Sequence, residues 1–161
     1  MVIALDTAEG SLALNEAMRV TTQRILATLP SARLACVNVL KLGRVTIDRT
    51  LDEEGNNKHV DRLVALRHWA QPLKLDENRL TVHVLEAVDS AAAILEFAEA
   101  NNVDHIVIGA RQSSLRRTLL GSVSAKVAAE AACTVTVVRP PRLALLQEEG
   151  SVNAKFDEAN L

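Results

Sequence analysis

Five short apolar runs punctuate the chain: VIALD (2–6), RLACVNVLKL (33–42), LTVHVLEA (80–87), HIVIG (105–109) and CTVTVV (133–138). Each is rich in Val and Ile, is apolar continuously or at every second position, and gives way to polar or turn residues. That is the pattern of a buried strand. Between the runs, apolar positions recur at helical spacing. Leu14, Met18, Ile25 and Leu29 form one stripe, with Ser11 placed to cap it, and Val60, Leu63, Val64 and Arg67 mark a second helix. DSAAAILEFAEANN (89–102), dense in strong helix formers and closed by Asn, predicts a third, and SVSAKVAAEAA (122–132) a fourth. Strand and helix alternate throughout. The fold class this predicts is α/β, an open doubly wound five-stranded parallel sheet with helices on both faces.

One segment breaks the alternation. GRVTIDRTLDEEGNNKH (43–59) is polar and acidic and longer than an ordinary strand-to-helix loop, with room for a short extended piece at Val45–Ile47. After Val138, two prolines stop the last strand, and the remainder of the chain turns acidic beyond the apolar LALL. A domain over residues 1–140 is expected, followed by a C-terminal extension over 141–161, either frayed or packed at a subunit seam.

Composition narrows the function classes. At 161 residues the chain fits one domain. Hydrophobic residues make up 48% and aromatic residues only 2%, so the core is aliphatic and few rings are available to stack bases. The formal net charge of -2 provides no basic field toward nucleic acid or an anionic membrane. No apolar stretch reaches the roughly 18 residues of a membrane span. MVIALDTAEG has no basic n-region or cleavage site, so the expected compartment is the cytoplasm. Cys36 and Cys133 stand far apart inside apolar runs and read as two buried thiols. The four histidines show no metal-ligand spacing.

In a doubly wound sheet, ligands collect beyond the carboxyl ends of the strands, where the strand order reverses. The first strand runs out at Asp6 and the fourth at Gly109, and GSVS (121–124) opens the helix that follows. If these strands are neighbours, all three meet at one crevice. The N–H groups of Val123, Ser124 and Ala125 and the positive end of the helix dipole would suit an anion. Gly121 would allow close approach, with Ser122 and Ser124 adding hydroxyls. Arg111 is placed to reach a ribose or phosphate. Asp6 suits a donor such as an adenine amino group or a ribose hydroxyl.

At these residues the chain resembles the universal stress protein family. DHIVIGARQSSLRRTLLGSVSAKV is similar to that family's nucleotide loop, in which Gly, two residues, Gly and nine residues precede Gly-Ser/Thr. The early strand ending in Asp, VNVLKL, AAAILEFAEANNVDHIVIG and CTVTVVRP agree in order over about residues 1–140. HVLEAVDSAAAILEFA and VAAEAACTVTVVRP also resemble stress-protein domains joined to bacterial protein kinases. The resemblance implies a Rossmann-like, adenine nucleotide alpha hydrolase-like fold that binds ATP or AMP, with Mg²⁺ shielding the phosphates where ATP is held. It places Ala4 and Asp6 at ribose and adenine, Val39 at the adenine ring, and Ile108 and Gly109 at the strand end. It puts Arg111 at a position usually Arg or His, and Gly121, Ser122, Val123 and Ser124 at the phosphates. It also implies a homodimer formed through the 133–138 edge strand, and a regulatory protein partner in a stress response.

The chain departs from the family pattern at Gln112, which replaces the second glycine and leaves eight residues before Gly121. A side chain and a shorter loop narrow the phosphate site. Two readings therefore stand side by side: a nucleotide-binding regulatory module, and a nucleotide-free dimeric interaction protein of the same fold. Gly109 and Gly121 also serve as ordinary turn and cap glycines, Asp6 as a turn residue, and Arg116 and Arg117 as solvated charges. There is no GxxxxGK[ST] lysine and no GxGxxG after the first strand. Slow ATP hydrolysis is the third and least supported reading.

Overall fold

The computed structural model describes residues 1–5, 12–42, 57–110 and 121–139. Five strands, β1 (Val2–Ala4), β2 (Leu34–Lys41), β3 (Leu80–Ala87), β4 (His105–Gly109) and β5 (Thr134–Val138), form one sheet in the order β3-β2-β1-β4-β5. Every neighbouring pair is parallel. The helices are α1 (Leu12–Thr28), α2 (Lys58–Ala70), α3 (Ser90–Ala100) and α4 (Ser122–Glu130). The expected doubly wound α/β architecture is the one observed, and each strand falls within a residue or two of its apolar run.

Alternating side chains along the strands divide the core into two layers. Ile3, Leu5, Cys36 and Val107 pack under α1 and α2 with Leu14, Met18, Leu26, Leu66 and Ala70. Ile106 and Ile108 pack under α3 and α4 with Ala91, Ile94, Ala98 and Val127, and partly buried Ala4, Val39, Val135 and Val137 complete that layer. Trp69 joins α2 to α1, its Nε1 donating to the Asn15 carbonyl at 3.2 Å.

Local chemistry sets the helix starts. Asn57 caps α2, its side-chain oxygen accepting from the N–H groups of His59 and Val60 at 3.0 and 3.3 Å. Asp89 caps α3 in the same way, from Ala91 and Ala92 at 2.9 and 3.2 Å. Beyond α3, Asn102 takes the left-handed conformation at φ 48°, which Asn tolerates better than most residues.

Four expectations are corrected. Leu29 lies beyond α1 and is exposed, and the buried stripe of α1 is Leu14, Met18, Thr22 and Leu26. On α2 the stripe read from Val60 and Val64 faces solvent, while Leu66 and Ala70, on another face, are buried. Cys133 is only half-buried, whereas Cys36 is fully buried and burial pushes its thiol up to about 12. α4 ends at Glu130, short of the expected 132. Ser11, the Val45–Ile47 segment, Arg116, Arg117 and residues 140–161 lie outside the described residues.

Thr22 sits on the buried face of α1 with no exposure, and its hydroxyl has no hydrogen-bond partner among the described residues. Such an orphaned hydroxyl costs stability that an apolar isostere recovers. Thr22→Val is expected to stabilise the fold by about 1 kcal/mol, raising Tm by roughly 3 °C. Thermal unfolding followed by circular dichroism checks this, and a lowered Tm contradicts it.

Candidate functional site

The chain steps from β1 outward to β2 and β3, then returns across β1 to β4 and β5. Strand order therefore reverses between β1 and β4, which are direct neighbours with Ala4 opposite Ile108. The reversal anticipated between the first and fourth strands is observed here. Ala4, Val39, Ile108 and Val123 all belong to the apolar layer beneath α3 and α4, so four of the sequence-predicted site residues share one face. Asp6, Arg111 and Gln112 lie outside the described residues.

α4 starts at this same edge. Gly121 is its N-cap residue, in an extended conformation, and no side chain among the described residues caps the helix. The Ala125 N–H, expected to be open, instead donates to the Gly121 carbonyl at 2.9 Å. The Ser124 hydroxyl is buried and donates to the same carbonyl at 3.0 Å. Ser122 is exposed. The first turn thus offers the backbone N–H groups of Ser122, Val123 and Ser124, the exposed Ser122 hydroxyl and the positive end of the dipole.

An ion pair aligns the two helices over this edge. Lys126 Nζ lies 2.8 Å from Asp89 Oδ2, joining the second turn of α4 to the N-cap of α3. The Lys126 hydrogen bond, with the Ala91 and Ala92 amides, holds the Asp89 carboxyl below its usual range, and the same bond raises the Lys126 ammonium. Sequence reading identifies Asp89 only as the start of a helix. Its partner, 37 residues away, has no local signal.

Gly109 has a packing role as well as a place at the strand end. A Cβ there would lie 2.9 Å from Met18 Sδ and 3.0 Å from Leu14 Cδ2, so the ends of these two α1 side chains would have to shift to admit one. A separate groove of about 330 Å³, lined in part by Leu95, Glu99, Asn102, Glu130 and Cys133, includes none of the sequence-predicted site residues. Among the described residues, no three His, Cys, Asp or Glu side chains are grouped to hold a metal ion. None of the described helices is long and apolar enough to cross a membrane.

A five-stranded parallel sheet whose strand order reverses between β1 and β4, with helices on both faces, defines the class of open doubly wound α/β proteins. Within that class, the Universal stress protein family model matches residues 1–139, and the chain belongs to this family. It is 45% identical over 56 residues to a universal stress protein from Methanothermobacter thermautotrophicus, a match spanning 35% of this chain and 38% of that protein's length. Among solved structures, it is similar to a universal stress protein in complex with cAMP, at 21% identity and a TM-score of 0.60. That likeness covers 86% of this chain and 94% of the other. It is similar also to a family member from Arabidopsis thaliana with AMP bound, at 13% identity and a TM-score of 0.56. Here 88% of this chain and 92% of the other are covered.

Gly109→Ala is expected to lower the stability of the nucleotide-free protein by about 1–2 kcal/mol, because Met18 and Leu14 must shift within a packed layer. Chemical denaturation of both proteins measures the difference. Equal or higher stability would show that α1 yields freely at this contact.

Proposed function

We propose that the chain binds an adenine nucleotide at the carboxyl edge between β1 and β4 and acts as a regulatory module in a stress response. The observation that carries this reading is the first turn of α4, which has no side-chain cap among the described residues and follows the strand-reversal edge, with Ala4, Val39, Ile108 and Val123 in one apolar layer. An aliphatic wall accommodates the flat faces of a purine, and the helix start accommodates phosphate. The cAMP and AMP complexes of similar folds support the same ligand class. In this reading Asp6 takes the adenine or ribose donor, and Arg111 and Gln112 border the phosphates. Gly121, Ser122, Val123 and Ser124 receive them, with ATP carrying Mg²⁺ as counter-ion. Gly109 closes the strand end while leaving α1 its contact.

β5 is an edge strand, and its outer row of backbone groups suits pairing with the same strand of a second copy. A twofold contact of this kind closes on itself, which limits further association. We place the module in the cytoplasm, signalling to a protein partner through this assembled form. The nucleotide-free reading draws support from Gln112, whose side chain occupies a position that glycine fills in the family pattern.

Calorimetry with ATP and AMP, with Mg²⁺ present, is expected to give saturable binding. Asp6→Ala should weaken it by roughly 5- to 150-fold through loss of a charged hydrogen bond. Absence of binding to wild-type protein overturns the reading, and equal affinities remove Asp6 from the site. Light scattering should give the mass of a dimer at micromolar concentration. A monomer excludes the β5 pairing.

A further inference from the structure

Asn38 is the one buried side-chain amide among the described residues, with 2% exposure inside the apolar run of β2. Its Nδ2 donates to the Leu5 carbonyl at 2.7 Å, and its Oδ1 accepts from Arg62 Nη1 of α2 at 3.1 Å. Leu5 is where β1 leaves the sheet. Ladder pairing ends at Ala4 opposite Val37, the Leu5 N–H still reaches the Val37 carbonyl at 2.8 Å, and the Leu5 carbonyl turns to the Asn38 side chain. A side-chain amide thus takes the place of the next backbone donor and ends the strand at this residue. Arg62 fixes which way the amide faces. A guanidinium only donates, so the amide oxygen must point at Arg62 and the NH₂ at Leu5.

We infer that Asn38 and Arg62 are positioning residues for the nucleotide site, setting the exit of β1 at the residue that precedes Asp6. This rests on the nucleotide-binding reading given above. Neither residue needs to touch ligand: both pack on the α1/α2 face, whereas Ala4 and Val39 border the proposed purine site on the other. A buried carbonyl deprived of its donor frees the strand end to move, and the donor set aimed at the nucleotide loses its alignment.

The test uses Asn38→Asp, Arg62→Lys and Arg62→Met in the full chain, with nucleotide affinity read by calorimetry across pH. The carboxylate that Asn38→Asp introduces has no hydrogen to give Leu5, so affinity falls roughly tenfold near neutral pH. Once protonated, the acid donates to Leu5 while its other oxygen still accepts from Arg62, and the ratio to wild type narrows as pH falls. Among the described residues, Arg62 of α2 contacts this side chain, Cys36 lies two residues earlier on β2, and Glu86 of β3 pairs with His59 of α2 at 3.4 Å. These groups are present in both proteins, so the pH dependence of the ratio reports the introduced carboxyl together with its coupling to them. Arg62→Lys keeps a donor and preserves affinity within about threefold, whereas Arg62→Met releases the amide and loses roughly tenfold.

Circular dichroism shows which variants fold, and if the buried carboxylate prevents folding, the two Arg62 variants decide. Wild-type protein that fails to bind overturns the nucleotide reading itself. Wild-type binding matched by Asn38→Asp at every pH, or by Arg62→Met, overturns the positioning role alone. Equal losses in Arg62→Lys and Arg62→Met do so as well, because a donor at that position then makes no difference.

Discussion

The architecture depends on how a parallel sheet must be connected around its shortest strand. β1 has three residues, and Val2 and Ile3 have no exposure, yet it pairs on both sides. Crossovers between parallel strands are right-handed, so stepping outward from β1 through α1 and α2 covers one face. Returning past β1 to β4 through α3 and α4 must cover the other. The helices that follow β1 and β4 therefore lie on opposite faces of the sheet, and the strand order reverses between these two strands. The place of this reversal follows from connectivity, before any side chain near it is chosen.

What surrounds that edge keeps it in register. The Met18 and Leu14 side chains of α1 pack directly over Gly109, so a glycine that sequence motifs associate with phosphate also serves the packing of α1. On the far face, Asp89 caps α3 and holds Lys126 of α4, which sets two helix starts side by side at the same edge. Exposed pairs of this kind add little to global stability. Their effect is on the relative placement of the two helices.

The strands are legible in the sequence because Val- and Ile-rich runs bounded by turn residues leave few alternatives, and the order of elements then dictates the layers. Helix faces are less legible. On α2, Val60 and Val64 imitate a buried stripe, but the helix buries Leu66 and Ala70, and only its rotation about its own axis against the sheet decides between the two faces. GSVS marks the start of α4, although it suggests more open donors than the helix has: the Gly121 carbonyl takes both the Ser124 hydroxyl and the Ala125 N–H. The Asn38–Arg62 pair escapes sequence reading because its members are 24 residues apart. One signal is available: a polar amide at the centre of ACVNVLKL, where both faces of a central strand are covered, must find partners.

The central claim is that ligand is received at the carboxyl edge between β1 and β4. Amide chemical shifts of isotopically labelled protein, followed as ATP with Mg²⁺ is added, test it residue by residue. The account predicts saturable shifts at Ala4, Val39, Ile108, Gly109 and Ser122–Ser124, with the groove around Glu99, Glu130 and Cys133 unchanged. Shifts confined to that groove, or none at saturating nucleotide, would contradict it.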